Sequence, residues 1–387
     1  MESTDLLIVG GGPAGLSVAT GYRDGGGTGS VLLIGDESVH PYARPPLSKD
    51  FLRGECAEDT LPLQPSARYG EQTVTVRLSR RVEGLDPDTR VVTLNDGEQV
   101  HYGDCVLATG AVPTVLPVPG ADHPSIRYLR SLASAQALRV VASSSRSAVV
   151  IGSGFIGCEA AVSLARRGLA VTVASAESRP QQARLGADVG ARIADWLDSE
   201  GVTLMSGAAV RAVVDGCSVE LDGHAPVRAD LVLAATGITP CSGLARRAGA
   251  ELNDDRVVVD ERMRTSVPRL FAAGDVAYAR NATAGRHLVV EHWGEALEMG
   301  RIAGNTIAGG HARWAEVPGF WSTVGDRTLK YAAWGDGYDT TRLVEHSGGG
   351  FTAWYTREDV AVGVATHQAD EDYDLGRQLI ERGDPAP

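Results

Sequence analysis

The sequence predicts an α/β fold: two Rossmann-like dinucleotide-binding domains followed by a small α+β C-terminal domain. Three observations predict it. Gly10-Gly11-Gly12-Pro13-Ala14-Gly15 follows the apolar run "DLLIV" and opens a helical stretch, as a dinucleotide fingerprint does. Gly152-Ser153-Gly154-Phe155-Ile156-Gly157 repeats that context after "SAVVI". Beyond about residue 316 the pattern turns to antiparallel strands, "FTAWYTREDVAVGVATH", with a last helix near "DLGRQLIERG".

In chain order, "DLLIVGGGPAGLSVATGY" reads as a buried strand, a glycine turn and an amphipathic helix. "RDGGGTG" is a flexible turn without the lysine of a phosphate loop, and "SVLLIGD" is the second strand. "RVVTLNDGEQVHYGDCVLATG" reads as hairpin strands closing on a buried strand and the turn Ala108-Thr109-Gly110. The second unit runs from "SAVVIGSGFIGCEAAVSLARRG" into "LAVTVASAE", and "DLVLAATGITP" repeats the earlier ending with Ala235-Thr236-Gly237. "LFAAGDVA" then carries Gly274 and Asp275. The acidic run "DEDYD" reads as a solvated loop.

The fingerprints carry a physical logic. The first glycine of each makes a tight turn, the second lets backbone approach a pyrophosphate, and the third lets helix pack on strand. The phosphates then meet a helix N-terminus and its partial positive charge. Gly10, Gly12, Pro13, Ala14 and Gly15 therefore form one phosphate cradle, and Asp36 and Glu37 follow at the distance of a ribose-binding acid. Gly152, Gly154, Phe155, Ile156 and Gly157 form the other. Its second strand ends on Ser175 rather than an acid; Glu177 suits a free 2′-hydroxyl and Arg179 a 2′-phosphate.

Bulk composition excludes several classes. A net charge of −13 argues against nucleic acid or an anionic membrane as partner. The five cysteines include no CxxC and no metal spacing, which suits a reducing cytoplasm. The N-terminal apolar run is too short for a signal peptide, and no window approaches a membrane span. His292 and Glu295 have no companion ligands, so no metal is expected.

These motifs, with "PYARPPLSKDF", "YLRSLASAQALR", "GSGFIGCE" and "PGFWS", resemble the FAD-dependent pyridine-nucleotide oxidoreductases of the glutathione-reductase fold. Within that group they are similar to the ferredoxin, rubredoxin and putidaredoxin reductase branch, a relative of apoptosis-inducing factor. The resemblance implies FAD in the first unit (1–114 resuming at 246–315) and NADH or NADPH in the second (115–245), with 316–387 as the C-terminal domain. It implies that Arg44 meets the pyrophosphate, Arg130 the flavin, Val82 the adenine and Asp275 the ribityl chain. Glu291, His292 and Trp293, with Trp321, would wall the flavin, and Phe155 would cover its nicotinamide face. By the same resemblance Gly237 would belong to the second dinucleotide site.

Lys49 is one of only two lysines in the chain, the other being Lys330. The resemblance sets Lys49 beside flavin N5 and pairs it with Glu159. A compact ammonium can donate there, whereas a guanidinium is wide and forked. Residues 40–55 hold no cysteine, so the resemblance implies hydride transfer from NAD(P)H to N5 without a redox disulfide. Electrons would then pass to an iron–sulfur protein, a ferredoxin or rubredoxin, from a monomer or homodimer. A small-molecule flavin oxidase and a redox-sensing binding protein stay open as alternatives. The chain departs from the branch at Ser175, at Ser134 in place of an aspartate, and at Thr323-Val324 after "FWS". The second site leans to NADH, and Arg327 and Lys330 are candidate docking cations.

Overall fold

The computed structural model describes residues 1–387. The chain divides into two compact units: Met1–Ala43, Pro62–Val112 and Thr239–Phe320 form the first, and Arg44–Leu61, Pro113–Ile238 and Trp321–Pro387 the second. Arg44–Leu61 thus lies in the second unit although its sequence neighbours on both sides lie in the first.

The first unit is built on a seven-stranded sheet. Its order is Val74–Arg77, Val31–Ile34, Glu2–Val9, Gln99–Leu107, Val91–Leu94 and Val82–Asp86, and Leu270–Ala272 also pairs with Gln99–Leu107. Glu2–Val9 runs parallel to both neighbours, with Leu6 opposite Val31 on one side and Asp104 on the other. That central position explains why "LLIV" is apolar without alternation: both faces are covered. The helix Pro13–Asp24 starts with proline at its first turn, where no amide hydrogen is needed. It packs on Trp293–Ile307 through small residues. A Cβ at Gly300 would sit 2.3 Å from the Ala14 carbonyl oxygen, and one at Gly304 2.1 Å from that of Val18. Only glycine allows this backbone approach.

The second unit holds a five-stranded parallel sheet ordered Thr203–Met205, Ala170–Ala174, Ser147–Ile151, Leu231–Ala234 and Arg127–Tyr128. Helices Phe155–Arg166 and Gln182–Ser199 accompany it, the latter kinked at Gly186. The C-terminal sheet is ordered Gly319–Val324, Arg327–Ala333, Val360–His367, Phe351–Arg357 and Thr340–Glu345. The helix Asp370–Arg382 follows it. Here one expectation is corrected. "DEDYD" is not a loop; Asp370, Glu371 and Asp372 form the first turn of that helix. Carboxylates there face the free amide hydrogens of a helix N-terminus, which stabilises both. Asp372 also accepts a hydrogen bond from Thr352 Oγ1 at 2.5 Å.

Candidate functional site

In the first unit the fingerprint glycines divide their work. Gly10 has φ +124°, and a Cβ there would lie 2.1 Å from the Ala108 carbonyl oxygen. A Cβ at Gly15 would lie 2.0 Å from the oxygen of Gly10. Gly12 differs: a Cβ would meet nothing within 4 Å. Two glycines are needed by the protein itself, and the third opens onto space at a helix N-terminus that no side chain caps. That opening fits a pyrophosphate.

The other residues expected in this unit lie on several of its elements. The turn ending in Asp275 packs at Gly274 against Ala14, with a Cβ at Gly274 3.1 Å from that of Ala14. Ala108 donates its amide hydrogen to Val9, and Thr109 Oγ1 donates to the Cys241 carbonyl at 2.8 Å. Gly110 follows in the left-handed region. Asp36 is exposed and 3.7 Å from Arg81, while Glu37 accepts from Tyr42 Oη at 2.7 Å. Val82 is buried on the sheet's edge strand. His292 immediately precedes the helix that Trp293 opens and lies against Phe320, and Glu291 bonds Arg256.

The second fingerprint repeats the division. Cβ atoms at Gly152 and Gly157 would lie 2.4 Å from the Ala235 oxygen and 2.2 Å from the Gly152 oxygen, respectively. At Gly154 the nearest atom is Gln181 Nε2 at 3.5 Å, which leaves room. Gly237, at φ +97°, has none within 4 Å. Phe155 is half-buried and Ile156 is exposed at the start of the helix. Ser175 is buried and shares a 2.7 Å hydrogen bond with Ser153, inside the fingerprint itself. Glu177 Oε1 accepts from the Ala183 amide at 2.9 Å, and Arg179 donates to the Ala187 carbonyl at 2.8 Å.

Lys49 sits at the junction of a 3-10 turn, Pro45–Ser48, and the short helix Asp50–Arg53. Its Nζ donates to Glu159 Oε2 at 2.7 Å and to the Pro45 carbonyl at 3.0 Å. An ammonium has three donors, so one is left over on a side chain that is still 13% exposed. Glu159 is only 3% exposed and saturated. Oε2 also accepts from Ser48 Oγ at 2.5 Å, and Oε1 from Ser322 Oγ at 2.7 Å and the Thr323 amide at 3.2 Å. Four donors fill the four acceptor positions of one carboxylate, which is how a buried charge is tolerated. Sequence reasoning found the pair and missed the two serines. The available signal was the hydroxyl adjoining each marked residue, in "LSK" and "FWS".

Nearby departures have local explanations. Arg44 donates to the Arg130 carbonyl at 2.7 Å, and the Arg130 amide donates to Ser134 Oγ at 3.0 Å. Ser134 completes a capping box with Ser131, doing with a hydroxyl what an acid does at that helix position. Trp321 is 48% exposed on the strand that bears Ser322. Arg327 and Lys330 face Glu200 at 3.5 Å and Asp370 at 2.7 Å. None of the five cysteines forms a disulfide. Burial pushes the Cys158 thiol up to about 12, helped by the charges of Glu159 and Glu177, and raises Cys105 further. Neither supplies a thiolate at neutral pH.

Two glycine-lined helix N-termini, a largely buried ammonium–carboxylate pair and the absence of any disulfide fit a dinucleotide-binding oxidoreductase. The chain belongs to the pyridine nucleotide-disulphide oxidoreductase family, which it matches over residues 4–300; residues 319–387 match the reductase C-terminal family. It is 32% identical to a ferredoxin–NAD(P)(+) reductase of Sphingomonas sp over 384 residues, 97% of this chain and 92% of the relative. It is 34% identical to the rubredoxin–NAD(+) reductase of Pseudomonas putida, over 84% of this chain and 85% of that one. Its fold superposes with a TM-score of 0.93 on putidaredoxin reductase from the covalent complex with putidaredoxin, at 29% identity over all of this chain and 94% of the other. No helix is long and apolar enough to cross a membrane.

Proposed function

We propose that the chain is an FAD-dependent NAD(P)H reductase that hands electrons to a ferredoxin- or rubredoxin-type iron–sulfur protein without a redox disulfide. The observation that carries this reading is the Lys49 ammonium. Two of its donors are spent on Glu159 and Pro45, and the third is available where disulfide reductases would need a thiol. The reductases named above, which span nearly the whole chain, support the same acceptor class.

In this reading Gly10, Gly12, Pro13, Ala14 and Gly15 hold the FAD pyrophosphate, with Asp36, Glu37, Arg44, Val82, Thr109 and Asp275 along its length. Gly152, Gly154, Ile156 and Gly157 hold that of NAD(P)H. Bound FAD supplies the chemistry that accepts a hydride and releases single electrons. The protein's share is orientation. Lys49 presents one N–H at a fixed place, Glu159 holds it there, and Phe155, Trp293 and Trp321 shield the reacting faces from water. A reducing cytoplasm suits a chain whose five cysteines form no disulfide.

The lean is to NADH. Glu177 is held by Ala183 and offers its second oxygen to a ribose hydroxyl, while exposed Arg179 is engaged with a carbonyl. NAD(P)H consumption with ferricyanide, with ferredoxin plus cytochrome c, and with oxygen tests the whole reading. Activity with oxygen alone would overturn it in favour of an oxidase. A kcat/KM that strongly favours NADPH would make Arg179 the determinant, and Glu177→Ala should narrow the preference for NADH.

A further inference from the structure

The Glu159 carboxylate joins three separate stretches of the second unit. Ser48 and Lys49 come from the turn before Asp50–Arg53, Glu159 from the fingerprint helix, and Ser322 and Thr323 from the C-terminal strand. Ser48 and Ser322 are 2% and 1% exposed. Ser48 is fixed in turn, because Ser163 Oγ donates to its carbonyl at 2.7 Å. A carboxylate held by one lysine would rotate about its terminal torsion, which is broad and two-fold. Here a hydroxyl on each oxygen leaves a single orientation. Thr323 contributes only its amide to Glu159, so the departure from the branch at this side chain leaves the arrangement intact.

We propose that Ser48 and Ser322 are positioning residues that clamp Glu159 from both sides and so aim the remaining N–H of Lys49. The proposal rests on the Lys49 role given above. It assigns the C-terminal strand a part in setting the reactive geometry through Ser322, separate from any part in docking a carrier.

The test uses the flavin-loaded protein with Ser48→Ala, Ser322→Ala and Ser322→Thr. Each alanine variant should lower the limiting rate of flavin reduction by NADH about tenfold, with half-saturation held within about twofold. Ser322→Thr, which keeps the hydroxyl, should recover most of the rate. In a Glu159→Gln background the serine changes should have no further effect. The second readout does not depend on turnover. Protein labelled with 15N at the lysine side chains has two ammonium signals, and that of Lys330 serves as reference. The Lys49 signal should exchange with water several-fold faster in each alanine variant. Unchanged exchange and unchanged reduction would overturn the clamp, as would full additivity with Glu159→Gln. Should Ser48→Ala fail to fold, Ser322→Ala carries the test alone. Lys49→Met, measured in parallel, separates the two ideas. Normal reduction in that variant would refute the role of Lys49, while the exchange measurement would still judge the clamp.

Discussion

A single atom separates glycines that hold the fold from those that leave room for a ligand. A Cβ at Gly15 would overlap the Gly10 oxygen, so Gly15→Val should lose the folded first unit. A Cβ at Gly12 meets nothing, and its φ of −89° suits any residue. Gly12→Val should therefore fold and purify colourless, with the flavin-free melting temperature unchanged. Yellow protein with a normal flavin spectrum would remove the first cradle from the FAD site. The Lys49–Glu159 pair makes a different prediction. Removing one partner leaves the other buried and unpaired, and the second removal then costs little. Lys49→Met and Glu159→Gln should each slow flavin reduction by at least about tenfold, and the double variant should be no slower than the worse single. Stopped-flow rates that multiply instead would mean that the two side chains act independently.

At the scale of elements, charge ties the fingerprint helix to its neighbours. Arg166 bonds Glu200, at the end of Gln182–Ser199, at 2.8 Å, and Asp326, in the turn after Gly319–Val324, at 2.9 Å. The bonds from Arg166 hold the Glu200 carboxyl below its ordinary value of 4.5. A depressed carboxyl stabilises the fold above its unfolded value and loses that contribution as pH falls through the folded one. Glu200→Gln should thus melt roughly 1–2 °C lower at pH 7, and the two curves should converge below pH 4.5. A gap that does not narrow at all as the pH falls below 4.5 would assign the loss to packing. The same elements show what can be read from sequence. Each fingerprint was legible because strand, turn and helix are contiguous, and Lys49 because lysine is rare in this chain. The clamp was not, because Ser48 and Ser322 lie 111 and 163 residues from Glu159. The acidic run was misread because a carboxylate cluster looks alike on a solvated loop and in the first turn of a helix.

For the whole molecule, charge bears on the choice of electron acceptor. The net charge is −13, and both candidate docking cations already face carboxylates, Arg327 with Glu200 and Lys330 with Asp370. Long-range attraction would therefore not recruit an acidic iron–sulfur carrier, and recognition would rest on short-range fit. Salt separates these cases. Charges farther apart than about 10 Å are largely screened at 0.1 M, so added salt weakens repulsion between two acidic partners before it weakens close contacts. Ferredoxin-coupled cytochrome c reduction at limiting ferredoxin should rise about two- to threefold between roughly 20 and 200 mM NaCl. Direct transfer to cytochrome c, measured without ferredoxin, corrects for its own salt dependence. Arg327→Ala and Lys330→Ala should leave that rise in place. A coupled rate that falls with salt, and is lower still in Arg327→Ala, would instead show that those cations are released on docking and that a basic patch recruits the carrier.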